Sequence, residues 1–169
     1  MDGGLPKEYI ILILMVLGGL AALIFLIPHS KRRESLLALM IFQAILWLCD
    51  MFAFKFGLMS APVRVLPKAI DLPVVIDYYF YPTLFSIYYV NRSGKSSEWS
   101  QLLSFFIWFS ALTLYDILLE RYTNLLKYDV IAWYGIWIYI GSLFFISQLC
   151  CNWFFREKSL FFCRQGERN

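Results

Sequence analysis

Long apolar segments alternate with short polar ones along the whole chain. At about 1.5 Å of helix rise per residue, each apolar segment is long enough to cross a hydrocarbon layer of about 30 Å. The pattern therefore predicts an all-α integral membrane bundle of five transmembrane helices. The predicted spans are residues 9–28, 35–57, 73–90, 99–120 and 130–154. Residues 155–169 are predicted to form a basic tail that lies on the membrane surface or is disordered.

The third apolar segment, DLPVVIDYYFYPTLFSIYYVN over residues 71–91, organises the rest of the pattern. It contains a carboxylate at Asp77, four consecutive aromatic residues from Tyr78 to Tyr81, and a proline at Pro82. An ionisable side chain inside a membrane span is expensive, so it indicates an ion partner or a functional site. Pro82 is expected to kink the helix or to leave one carbonyl without its donor.

Glycine positions predict how two of the other spans pack and end. Gly18 and Ala22 lie four residues apart and would let a second helix pack closely, unless the glycine is merely tolerated there. Gly57 is predicted to end the second span. Residues 58–72 contain two prolines and predict a loop that is too broken for a helix.

Composition excludes several classes of protein. The chain is 60% hydrophobic and 20% aromatic with a mean hydropathy of +0.63, whereas a soluble domain is about 45–50% apolar. No block of Lys and Arg alternates with aromatic residues, so we expect no nucleic-acid partner. The four cysteines form no C-x-x-C pair, and the single His29 excludes a bis-histidine haem within one chain. We therefore predict no cofactor and no metal.

Charge placement predicts the orientation of the bundle. With five spans, nine Lys and Arg residues fall on one side of the membrane and five on the other. The nine are Lys31, Arg32, Arg33, Arg92, Lys95, Arg156, Lys158, Arg164 and Arg168. The five are Lys7, Arg64, Lys68, Arg121 and Lys127. Because cytoplasmic loops carry the excess of positive charge, the N-terminus is predicted outside and the C-terminus in the cytoplasm.

Five ionisable residues inside or at the ends of the spans form a candidate polar or ion-binding cluster: Asp50, Lys55, Asp77, Asp116 and Glu120. Alternation of the chain across the membrane places all five near the same side, predicted to be the outer leaflet. Asp116 and Glu120 are four apart and share a helix face. Asp50 and Lys55 are five apart and do not, so a partner for Lys55 on another helix is expected.

Three hypotheses account for this cluster. It is an ion-pair and hydrogen-bond network that holds the bundle together, an outward-facing pocket or ion path with carboxylates as cation ligands or proton carriers, or a surface that binds another membrane protein. Paired carboxylates also suit general acid–base chemistry. No nucleophile–base pair, phosphate-binding glycine loop or metal-ligand spacing accompanies them, so the chain is predicted not to be an enzyme.

Residues 71–155 resemble a family of small multi-spanning membrane proteins from Bacillus- and Clostridium-type spore formers. The resemblance depends on motifs in a fixed order: Asp71-Leu72, Tyr81-Pro82-Thr83, Tyr88-Tyr89-Val90-Asn91, Trp108 eight residues before Asp116, and Lys127-Tyr128 before the last span. That family has a similar length and four to five helices. It has no assigned activity, cofactor or substrate, so no site residue follows from the resemblance.

The resulting functional prediction is a non-enzymatic integral membrane protein that serves as an accessory or structural subunit of a bacterial membrane assembly. The alternative is a small transporter or channel-like protein whose outer-leaflet acidic cluster binds a cation or a proton. Expected partners are the lipid bilayer and either another membrane protein or a second copy of this chain. The predicted location is the bacterial cytoplasmic membrane or the inner membrane of the spore.

Overall fold

The protein is an all-α bundle, as the sequence predicted. The computed structural model describes residues 6–60, 75–92, 98–123, 125, 127–128 and 132–166. The α-helices in chain order are α1 (Pro6–Leu26), α2 (Arg32–Lys55), α3 (Tyr81–Asn91), α4 (Glu98–Tyr122) and α5 (Trp133–Gly166). A 3-10 turn (His29–Lys31) precedes α2, a π-helical turn (Ile76–Phe80) leads into α3, and two short strands are β1 (Met59–Ser60) and β2 (Lys127–Tyr128).

Some sequence predictions concern residues outside these described ranges. The two prolines predicted to break the loop after the second span, the Asp71-Leu72 motif, residues 93–97 of the polar loop and the last residues of the tail lie outside the described residues. Within the tail, α5 continues as a helix to Gly166.

Four helical segments are long and apolar enough to cross a membrane. They are Lys7–Leu26, His29–Lys55, Trp99–Tyr122 and Trp133–Phe155. These segments confirm the first, second, fourth and fifth predicted spans as helices of sufficient length. The third predicted span is helical over residues 76–91, or about 24 Å at the usual rise, so its crossing of the membrane stays a prediction.

Proline and glycine set the ends of the first two helices. α1 ends at Leu26, two residues before Pro28, because a proline disfavours helical geometry in the residue that precedes it. Gly57 has a φ of +67° just beyond α2, and the Leu58 N–H donates to the Ala53 carbonyl at 2.9 Å. This is the glycine-based end that satisfies the last carbonyls of a helix, and it confirms Gly57 as the stop.

α3 is the centre of the bundle. It packs against α1 and α2, while α5 packs against α2 and α4. Eight of its eleven residues are buried, including Thr83 and Ser86. Phe85 of α3 stacks on Phe42 of α2 with ring centroids 4.6 Å apart, and Phe144 of α5 meets both rings edge-on. The most aromatic predicted span therefore supplies the core rather than a lipid-facing surface.

A two-residue ribbon joins the loops at one end of the bundle, where the sequence predicted no strand. Met59 pairs with Tyr128 and Ser60 with Lys127 in an antiparallel arrangement. Local sequence did not predict it because each strand is only two residues long and its partner lies far along the chain. The ribbon ties the end of α2 to the segment after α4.

Gly19, rather than Gly18, is the site of close approach on α1. A Cβ at Gly19 would lie 2.9 Å from Cε1 of Tyr79, whose hydroxyl donates to the Val16 carbonyl at 3.1 Å. A Cβ at Gly18 would meet nothing within 4 Å. Within the described chain, the glycine that permits close packing is therefore Gly19 and not the predicted Gly18.

We expect Gly19→Ala to destabilise the bundle by about 1–3 kcal/mol, because the added methyl group must displace the packed Tyr79 ring. Gly18→Ala is the matched control and should be neutral or stabilising, since alanine favours a helix and the space beside it is open. Reversible unfolding in mixed detergent micelles, followed by circular dichroism, measures both. Equal destabilisation by the two variants would contradict the close approach at Gly19.

A candidate carboxylate site

Three buried aspartates from three helical segments meet near one end of the bundle. Asp50 lies near the end of α2, Asp77 in the π turn before α3, and Asp116 near the end of α4. Their side chains are 3%, 5% and 1% exposed, respectively. The three residues line one shared cavity.

The π turn results from the proline that follows it. Pro82 has no N–H, and its ring would clash with the carbonyl four residues earlier in a regular helix. The helix widens instead, and the Tyr81 N–H bonds to the Ile76 carbonyl five residues back. Single π turns occur often at functional sites because they change the direction of nearby side chains. Here the widened turn carries Asp77, whose buried side chain lines the cavity.

Asp50 and Asp77 both line the cavity. The Tyr139 hydroxyl of α5 donates to Asp50 Oδ1 at 2.5 Å, while Asp50 Oδ2 and Asp77 Oδ2 have no hydrogen-bond partner among the described residues. Two ionised carboxylates on one apolar wall repel each other, so a proton on one of them lowers the free energy of this arrangement.

Asp116 is held by the ribbon. The Tyr128 hydroxyl donates to Asp116 Oδ2 at 2.9 Å, and the Tyr128 backbone N–H donates to Glu120 Oε1 at 3.1 Å. Burial, followed by the nearby Asp116 charge, raises the pKa of the Tyr128 hydroxyl well above its ordinary value, so this hydroxyl stays protonated and remains a donor. Asp116 and Glu120, which were predicted to share a helix face, thus both accept hydrogen bonds from Tyr128, one from its hydroxyl and one from its backbone N–H.

The cavity between these side chains has a free volume of about 20 Å³, enough for one water molecule or a small ion. Four of its oxygen atoms have no hydrogen-bond partner among the described residues. They are Asp50 Oδ2, Asp77 Oδ2, Asp116 Oδ1 and the Tyr81 hydroxyl. The remaining described lining is mostly apolar: Phe42, Leu46, Phe54, Met59, Leu112, Ile140, Leu143 and Phe144, with Tyr128 and Tyr139.

No basic side chain compensates the carboxylates within the described lining. Lys55, predicted to pair with an aspartate or glutamate on another helix, is exposed at the end of α2 and does not line the cavity. In the described structure α2 turns its last lysine outward, away from the aspartates. Arg121 is exposed as well.

The five predicted cluster residues therefore divide into two groups. The structure brings together Asp50, Asp77 and Asp116, whereas Glu120 supports the ribbon and Lys55 lies apart. No three His, Cys, Asp or Glu side chains of the described chain are arranged to hold a metal ion. The carboxyl groups surround the cavity without converging as metal ligands.

Sequence reasoning missed the tyrosines of the site. Tyr81, Tyr128 and Tyr139 all line the cavity, and two of them donate to an aspartate. A signal was available for Tyr139, because it lies about two helical turns into α5, close to the depth expected for Asp50. Glu8 in the first turn of α1 was also missed; it is buried, and its carboxylate has no partner among the described residues.

Comparison of the chain with protein-family models, with curated proteins and with solved structures returned no match.

We expect Tyr139→Phe to destabilise the protein by about 1–3 kcal/mol, because it leaves Asp50 Oδ1 buried without its donor. Tyr134→Phe is the matched control on the same helix; Tyr134 is exposed, so its variant should stay within about 0.5 kcal/mol of the wild type. Detergent unfolding again provides the measurement. A Tyr139→Phe variant as stable as the control would show that the hydrogen bond contributes nothing.

Proposed function

We propose that this protein is a small, non-enzymatic membrane transporter that carries protons through Asp50, Asp77 and Asp116. One observation carries the proposal: three carboxyl groups from separate helical segments face a small enclosed cavity whose described lining contains no basic side chain. A network that only held the bundle together would satisfy these oxygens. Here, three of the six carboxylate oxygens have no partner among the described residues.

Electrostatics favours proton binding at this cavity. Three ionised carboxylates in an apolar surrounding would each lose hydration and would repel one another. Protonation of a carboxylate removes both costs. Protons are favoured over a metal ion because no three acidic, histidine or cysteine side chains of the described chain form a ligand set.

The tyrosine hydroxyls extend the site in two directions. Tyr139 connects Asp50 to α5, and Tyr128 connects Asp116 to the ribbon at the end of the bundle. A hydroxyl group both donates and accepts, so it passes a proton between a carboxyl group and a water molecule. The cavity has room for one such water between the carboxyl groups.

Of the two functions that the sequence suggested, this proposal favours the transporter over the accessory subunit, because Lys55 does not line the cavity of the buried aspartates. The proposal also includes the location, the number of spans and the orientation that the sequence predicted. The protein lies in the bacterial cytoplasmic membrane with five spans, its N-terminus outside, and the carboxylate site in the outer half. The resemblance to small membrane proteins of spore formers is compatible with this location.

Purified protein in lipid vesicles with an internal pH-sensitive dye tests the proposal. A potassium gradient with valinomycin drives proton entry, and we expect Asp77→Asn to reduce the rate by about tenfold or more, because the amide does not titrate. Glu34→Gln is the matched control, since Glu34 is an exposed carboxylate of α2 and its variant should keep the wild-type rate.

Stability separates transport from architecture in the same variants. For a proton site, Asp77→Asn should leave the unfolding free energy within about 1 kcal/mol of the wild type or raise it, because a buried ionisable group is replaced by a neutral one. A loss of about 3 kcal/mol or more with unchanged flux would assign the cluster to the architecture and overturn the proposal.

A further inference from the structure

A second polar cavity lies at the opposite end of the bundle from the aspartates. It is formed where α3 ends and α4 begins, and its volume is about 220 Å³. Its lining residues are Tyr88, Asn91, Arg92, Ser100, Gln101, Ser104 and Trp108. The Asn91 side chain donates to the Leu26 carbonyl at the end of α1, so the cavity lies level with the end of a predicted span.

Arg92 gives this cavity a positive charge. Its backbone N–H donates to the Tyr88 carbonyl at the end of α3, and both residues line the cavity. Its Nη1 atom is buried and has no acceptor among the described residues. A buried guanidinium N–H without an acceptor is costly, and a phosphate oxygen matches its planar set of donors.

Further features of the cavity favour an anion. Ser100 and Ser104 lie one turn apart on the same face of α4 and add hydroxyl donors. Ser100 lies in the first turn of that helix, where free backbone N–H groups favour negative charge. Lys31 is close by, since its Nζ donates to the Val90 carbonyl at 3.0 Å.

An apolar groove adjoins the charged cavity. It lies between α4 and α5, and Leu102, Phe105, Phe106 and Phe145 line it together with Gln101 and Gln148. Gln101 lines both spaces, and the Tyr88 hydroxyl of the charged cavity donates to Gln148 Oε1 of the groove at 3.1 Å. The cavity, which contains the cationic Arg92, and the apolar groove therefore share a wall.

We propose that this pair of spaces binds one anionic phospholipid, with its phosphate at Arg92 and one acyl chain along the groove between α4 and α5. A free phosphate would use only the first space, whereas a lipid uses both. The location also fits a lipid, because this end carries the basic residues that the charge pattern assigns to the cytoplasmic side. The anionic lipids of a cytoplasmic leaflet attract basic residues near its surface. This inference does not depend on the proton-carrying role.

Native mass spectrometry of the full chain from detergent tests the site. The probes are phosphatidylglycerol and phosphatidylcholine with identical acyl chains. We expect the wild type to retain phosphatidylglycerol about tenfold more strongly, because the choline group of phosphatidylcholine cancels the charge of its phosphate, and we expect Arg92→Ala to remove most of that difference, because the guanidinium charge that favours the anionic lipid is lost. Arg33→Ala is the matched control at the same end; Arg33 is exposed and does not line the cavity, so retention should be unchanged.

Three outcomes overturn the proposal. Equal retention of both lipids, or equal losses from Arg92→Ala and Arg33→Ala, would show that only general charge attraction acts. Displacement of phosphatidylglycerol by millimolar glycerol 3-phosphate would assign the cavity to a soluble phosphate. Should Arg92→Ala fail to fold, Arg92→Lys provides the test, since lysine keeps the charge without the planar pair of donors and should lower retention by about threefold.

Discussion

The structure depends on the cost of placing three carboxyl groups inside an apolar bundle. No basic side chain faces them in the described lining, so the arrangement is stable only when protons or hydrogen-bond donors reduce their charge. Tyr128 and Tyr139 provide two such donors from different parts of the chain. The stacked rings of Phe42 and Phe85 then separate this acidic end from the basic end at Arg92. The described cavity linings thus contain carboxyl groups at one end of the bundle and a guanidinium group at the other, with an aromatic layer between them.

Sequence reasoning could predict those features that depend on local pattern. Long apolar runs identified four helices because helix length and hydropathy are properties of a single segment. Gly57 was recognisable as a stop because only glycine takes a positive φ there without strain. Asp50, Asp77 and Asp116 were placed together by chain alternation alone, since antiparallel helices bring alternate ends to the same side.

The remaining features depend on how helices rotate about their axes, and a single sequence does not specify that rotation well. Lys55 and Asp50 both lie at the end of α2, yet one is exposed and the other buried. The aromatic third segment proved to be the centre of the bundle, because its rings pack against all four other helices. The β1–β2 ribbon was not predictable, since it pairs residues 59–60 with residues 127–128 through only two pairs.

That ribbon also has a consequence for how the interior meets water. Met59 and Tyr128 are paired across it, and both are part of the wall around the aspartates. A two-residue ladder has few hydrogen bonds to break, so it belongs to the part of a fold that opens by local fluctuation long before the helices separate. Opening of the ribbon would remove both residues from the cavity wall. The separation of the carboxyl groups from water at this wall therefore depends on two strand pairs and not on the helices alone.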